Sequence, residues 1–90
     1  MYRLEVSPAA DRDLERLKGR MRRQDFEHLR AAIKSLANEP RPRGVRMIKG
    51  AEKAHSIRLG SYRVVYEAYH NEQLVLILQV ARRTETTYRS

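Results

Sequence analysis

The stretch His55-Ser-Ile-Arg-Leu-Gly-Ser-Tyr-Arg-Val-Val-Tyr-Glu-Ala-Tyr69 decides how this chain folds. It reads as two strands joined at Gly60-Ser61, with Ile57 and Leu59 alternating before the turn and Tyr62, Val64 and Tyr66 after it. Successive Cβ atoms on a strand point to opposite faces of its sheet. Ile57 and Leu59 therefore share one face, and Arg58 takes the other. In the second strand Tyr62, Val64 and Tyr66 form one set, with Arg63 and Val65 opposed to them. One hairpin thus offers an apolar face to a core and presents two arginines on its back. That is a scaffold for holding an anion.

Upstream of the hairpin, Tyr2, Leu4 and Val6 alternate with Arg3 and Glu5 as a first strand. Ser7-Pro8 then predicts an N-cap followed by proline at the first helical position, with Asp11 and Asp13 near the positive end of the helix dipole. Ala10, Leu14 and Leu17 recur at helical spacing, and Gly19 is a natural stop. A second helix is expected from about Arg22, since Phe26, Leu29, Ile33 and Leu36 form an apolar stripe. Asn38 and Pro40 end it, and a short basic turn from Arg20 to Arg23 links two antiparallel helices. The segment Asn38-Glu-Pro-Arg-Pro-Arg-Gly44 is a stiff basic connector, because each proline restricts itself and its predecessor. Val45 to Ile48 reads as a short strand.

Beyond the hairpin, His70-Asn71-Glu72 forms a turn into Leu74 to Val80, a run apolar almost throughout. Such a run is expected to be buried on both faces and central in its sheet. The order strand, helix, helix, then three or four strands gives an α+β fold (β-α-α-β-β-β), with both helices on one face of a largely antiparallel sheet.

Ninety residues make one small domain, which buries about 60–65% of the surface its unfolded chain exposes. The core therefore needs most of the 41% hydrophobic residues. With no cysteine there is no disulfide, thiolate nucleophile or cysteine-ligated zinc, and a reducing cytoplasmic setting is expected. No stretch approaches the roughly 18–20 apolar residues of a membrane span, and Met1 leads into a strand pattern without a signal-peptide layout. No membrane association is expected.

Charge is concentrated. Residues 1–39 hold nine basic and seven acidic side chains, whereas residues 40–66 hold seven basic ones against Glu52 alone. Those seven are Arg41, Arg43, Arg46, Lys49, Lys53, Arg58 and Arg63. A basic middle third fits a polyanionic partner, RNA or DNA or an acidic protein; the plain alternative is a solvated face that aids solubility.

Several chemistries fall away. His28, His55 and His70 have no metal-ligand spacing and no carboxylate cluster beside them, so neither a metal nor another cofactor is expected. His55 shares the alternation of Ile57 and Leu59 and should be half-buried. The glycines are scattered and build no phosphate loop, and no serine sits in a nucleophile elbow. What remains is Arg58 and Arg63 from the hairpin, Arg82 and Arg83 from the end of the last strand, and Tyr88 from the tail. Arginines held where charge develops can stabilise the pentacoordinate state of a phosphodiester attacked in line by its own ribose 2′-OH. The same residues also read as surface arginines with an aromatic that pins the tail.

Taken together, the Pro-Arg-Pro-Arg-Gly connector with its later Ile-Lys-Gly, the Ile-Arg-Leu-Gly-Ser-Tyr-Arg-Val-Val-Tyr-Glu hairpin and the closing Arg-Arg…Tyr-Arg resemble the RelE family of toxins, within the RelE/ParE superfamily of toxin–antitoxin modules. The resemblance spans nearly the whole chain and implies a single toxin domain over residues 1–90. It implies a cytoplasmic, ribosome-dependent mRNA endoribonuclease that works without metal by 2′-OH attack. It also implies a cognate antitoxin as partner, with operator DNA bound only through the toxin–antitoxin complex.

On the family pattern Arg63 would be the phosphate-stabilising arginine, Arg58 would stand at a catalytic lysine or arginine, and Arg82 would act near the leaving group. Tyr88 would stack on the substrate base and assist the 2′-OH. Arg41, Arg43, Arg46, Lys49, Lys53 and Arg83 would hold RNA or ribosome. Ser56 and Ala81 depart from positions where relatives carry basic residues, so the resemblance supplies no proton acceptor, and His55 is the neighbouring candidate. Two rival readings stay open: a ParE-like gyrase poison, and a toxin fold that has lost its chemistry but still binds antitoxin.

Overall fold

A computed structural model describes residues 1–42, 44–48 and 53–82. The elements run β1 (Arg3–Val6), α1 (Pro8–Lys18), α2 (Arg23–Ser35), β2 (Arg46–Met47), β3 (Ala54–Leu59), β4 (Tyr62–Tyr69) and β5 (Leu74–Arg82). Arg43, Lys49, Arg83 and Tyr88 lie outside the described residues.

Local chemistry sets the first helix where the sequence predicts it. Ser7 is extended at the N-cap, its Oγ accepts the Ala10 N–H at 3.1 Å, and Pro8 follows in the first turn. Leu17 closes the buried side of α1, and Phe26, Leu29 and Ile33 form that of α2. Each such side chain is worth about 1.5–3 kcal/mol on burial, enough to make the stripe a core seam.

The sheet runs β1-β5-β4-β3-β2. β1 pairs with β5 in parallel, and the other three pairings are antiparallel. The expected hairpin is present: Ile57 lies opposite Val64 and Leu59 opposite Tyr62. Gly60 turns the corner at φ 64°, a left-handed conformation that costs a residue with a Cβ about 1 kcal/mol or more. One face of the sheet carries Ile57, Val64, Tyr66, Val75, Ile77 and Val80 against Ala10, Leu17, Phe26, Leu29, Ile33 and Leu36 from the helical segment. Both helices thus pack on one face, and the α+β expectation holds.

Two expectations need correction. The strand expected over Val45 to Ile48 is only Arg46–Met47. And β5 is an inner strand buried more deeply on one face: Val75, Ile77 and Val80 are fully buried, while Leu74, Leu76 and Leu78 are half-buried. β4, not β5, is the middle strand. Among the described residues both helices lie on one side, and none lies over the other row of β5 leucines.

A bulge sits in β5. Val65 faces Gln79 and Tyr66 faces Ile77, which leaves Leu78 as the extra residue. β1 covers β5 only as far as Ile77, and the exposed edge beyond is satisfied from the start of α1. The Ser7 N–H donates to Ile77 O at 2.9 Å, Ser7 Oγ donates to Leu78 O at 3.3 Å, and the Val80 N–H donates to Asp13 Oδ2 at 3.0 Å. Asp13 therefore anchors the end of the strand that carries Ala81 and Arg82.

Candidate anion-binding site

The back of the hairpin, away from the helices, is where the arginines meet. Arg58 and Arg63 are direct partners across β3 and β4. Directly opposed Cβ atoms are about 4.5–5.5 Å apart, and like charges in that position repel. Arg58 is exposed and Arg63 half-buried. Arg63 is in turn opposite Ala81 on β5, and the next row reads Arg46, Ser56, Val65 and Gln79 across four strands. Arg46 thus shares the face of the arginine pair. The two departures from the family pattern both fall here: Ser56 lies one row from Arg58 and Ala81 abuts Arg63.

The other candidates are distributed. Lys53 sits at the far end of β3, about 16 Å from Arg58 by strand rise, with its Nζ 4.8 Å from the Tyr69 ring centroid. The Tyr69 hydroxyl donates to Glu67 Oε1 at 2.5 Å, and this bond raises its pKa. Arg41 is exposed in the connector, beside Pro40, whose carbonyl accepts the Tyr66 hydroxyl at 2.5 Å. Burial pushes the Tyr66 phenol up to about 12.

Arg82 pairs with Tyr62, one step beyond the Arg63–Ala81 pair, so it leaves the sheet on the opposite face from Arg58 and Arg63. There it lines a cavity between the sheet and the helices, with Arg20, Arg22 and Tyr62. The structure therefore brings Arg58, Arg63 and Arg46 together on one face, and sets Arg82 at the same end of the sheet on the other.

His55 is not half-buried, and it does not face the arginine pair. It is 1% exposed, on the helix side, stacked on Tyr66 with ring centroids 5.3 Å apart and planes 16° from parallel. Among the described residues neither ring nitrogen makes a hydrogen bond of good geometry. Burial lowers its pKa below the ordinary value, the Arg41 charge pushes the same way, the Lys53 backbone opposes, and His70 adds a smaller lowering. A buried imidazole on the wrong side of the sheet cannot take a proton from a ligand at Arg58 and Arg63. Among the described residues no three His, Asp or Glu side chains gather as metal ligands would, and no helix is long and apolar enough to cross a membrane.

Sequence reasoning missed the helix-side cavity, although its signal was visible as the basic turn Arg20-Met-Arg-Arg23 between the helices. Nothing local could show that this turn folds beside a residue some sixty positions later.

The chain runs β-α-α-β-β-β-β with a basic hairpin face, and the comparisons place it in a family. The chain belongs to the RelE/ParE family: residues 4–86 match the family model described as the ParE toxin of type II toxin-antitoxin system, parDE. Among individual proteins, it is 33% identical over 83 residues to Toxin RelE of Mycobacterium tuberculosis (strain ATCC 25618 / H37Rv), spanning 92% of this chain and 82% of that one. Solved structures share the fold, among them two RelE structures. The archaeal RelE–RelB complex from Pyrococcus horikoshii OT3 superposes with a TM-score of 0.76 at 22% identity, covering 94% of this chain and 98% of that one. The isolated E. coli RelE toxin gives 0.75 at 18% identity, covering 97% and 89%. The protein is a RelE/ParE-family toxin of a type II toxin–antitoxin system.

Proposed function

We propose that this toxin is a ribosome-dependent mRNA endoribonuclease acting in the cytoplasm, with the arginine pair of the hairpin as its phosphate-binding element. The observation that carries the reading is the direct cross-strand opposition of Arg58 and Arg63 on the helix-free face, with Arg46 on the same face. Two guanidinium groups side by side offer a phosphate paired forked donors.

In the proposed step the ribose 2′-OH gives its proton to solvent water as its oxygen attacks the adjacent phosphorus, the 2′-O–P bond forms, the P–O5′ bond breaks, and the leaving 5′ oxygen takes a proton from water. The products are a 2′,3′-cyclic phosphate and a free 5′-OH. Charge builds on the non-bridging oxygens of the pentacoordinate state, where Arg58 and Arg63 offer forked donors. Arg82, on the other face beside the strand end, holds the backbone of the adjoining nucleotide, and Tyr88 stacks on the base and orders the 2′-OH. Arg41, Arg43, Arg46, Lys49, Lys53 and Arg83 hold rRNA and mRNA backbone. A cognate antitoxin covers this basic surface with acidic side chains, and the pair binds operator DNA through the antitoxin.

The structure from Pyrococcus horikoshii contains a RelB partner with its RelE, which supports the antitoxin reading by analogy. The ParE description of the matching family model keeps one rival, a gyrase poison that needs no RNA chemistry. The decisive contrast is Arg63→Ala expressed without antitoxin. Relief of growth arrest with antitoxin binding intact is expected; undiminished toxicity would remove Arg63 from the site.

A further inference from the structure

A cavity of about 660 Å³ opens on the helix side of the sheet, between the α1–α2 turn, the first half of α2 and the β3–β4 turn. Its rim carries three guanidinium groups, from Arg20, Arg22 and Arg82, and one carboxylate, from Asp25. Its floor is apolar, with buried Leu29 and half-buried Leu59, and the half-buried Tyr62 ring lies in one wall. The size is that of a small-molecule site, and the lining combines a stacking surface with phosphate donors.

We propose that this cavity is a second nucleotide subsite, which takes one unstacked nucleotide of a single-stranded RNA that crosses the β3–β4 turn from the Arg58–Arg63 face. The inference rests on the endoribonuclease reading and adds to it where a neighbouring nucleotide goes. Register places the two sites back to back: Arg63 pairs with Ala81, and the adjacent pair is Tyr62 with Arg82. Arg63 and Arg82 are thus diagonal neighbours with Cα atoms about 6 Å apart, whose side chains leave on opposite faces. Among the described residues the crest between the faces is Gly60 and Ser61, both exposed, and no heavy atom lies within 4 Å of where a Cβ on Gly60 would stand. A nucleic-acid backbone can pass over so low a crest and stay in contact with cations throughout.

Asp25 decides between a nucleotide and an acidic peptide. A carboxylate repels peptide carboxylates and phosphate alike, but a nucleotide also brings a base whose amino edge can donate to it. The arginines then take phosphate by their forks or stack on the base by their planes.

The test is fluorescence anisotropy of the purified protein with a short single-stranded RNA 2′-O-methylated at every sugar, which binds but has no 2′-OH with which to react. Arg22→Glu is expected to raise Kd at least about tenfold, the loss of one charge-assisted contact, and Ala32→Leu to weaken binding by filling the cavity. Arg30→Glu is the control: it makes the same charge change on α2, at an exposed residue outside the cavity, and is expected to shift Kd about twofold. Equal weakening by Arg22→Glu and Arg30→Glu would overturn the subsite, as would wild-type affinity in Ala32→Leu. So would pocket variants that keep RNA affinity but lose capture of an acidic antitoxin peptide. If the expected variant pattern appears while translated mRNA stays intact in cells, the subsite stands and the cleavage reading falls.

Discussion

The cross-strand arginine pair carries a cost that can be measured. Arg58 and Arg63 are directly opposed, so Arg58→Glu converts a repulsion into an attraction without disturbing the buried face of β3. Long side chains splay, so guanidinium carbons roughly 7 Å apart are a fair separation. At that distance in water-like dielectric the Coulomb term is about 0.6 kcal/mol, and reversing its sign swings stability by about 1 kcal/mol. For a domain of this size that is a rise in Tm of about 4–8 °C. The assay is thermal and urea unfolding of both proteins at low salt and again near 1 M salt, where the Debye length falls to about 3 Å. Arg58→Glu should be the more stable protein at low salt, the gain should shrink at high salt, and toxicity should be lost. A variant equally stable or less stable at low salt would refute the reasoning, since the pair would then not be held against its own repulsion.

Two further outcomes follow from the buried polar groups. His55 has a folded pKa below its unfolded value of about 6.5, so the unfolded chain binds the proton first as pH falls. Stability is therefore full above about pH 6.5 and declines below it until the folded pKa is reached; urea midpoints at pH 5 and 7.5 should show this drop, and His55→Phe should reduce it. Asp13→Ala removes the acceptor for the Val80 N–H and should cost about 1.5–3 kcal/mol in urea unfolding, with Asp13→Asn costing less.

The hairpin was legible because its apolar residues alternate and Gly60 marks the turn; both strands form in the register that alternation requires. Ser7-Pro8 was equally direct, since an N-cap is a local event. Leu74 to Val80 misled because an unbroken apolar run carries no alternation, so it cannot say that one face meets helices and the other does not. The parallel pairing of β1 with β5 joins residues some seventy positions apart and leaves no short-range trace. His55 was read on the correct face but not at its depth, because stacking on Tyr66 and coverage by the core are tertiary facts. Of the site, the opposition of Arg58 and Arg63 follows from turn length and alternation alone. That Arg82 emerges on the other face depends on where β5 is registered against β4, which sequence does not state.

The central claim is cleavage of mRNA on the ribosome. Its most direct test is induced expression without antitoxin, followed by primer-extension mapping of one mRNA in a translated copy and in a copy whose start codon is removed. The account predicts cuts at a fixed position within codons in the translated copy alone, absent when Arg63→Ala is expressed. Intact mRNA in both copies, in cells whose growth has stopped, would contradict it and move the arginine face to a different anionic target.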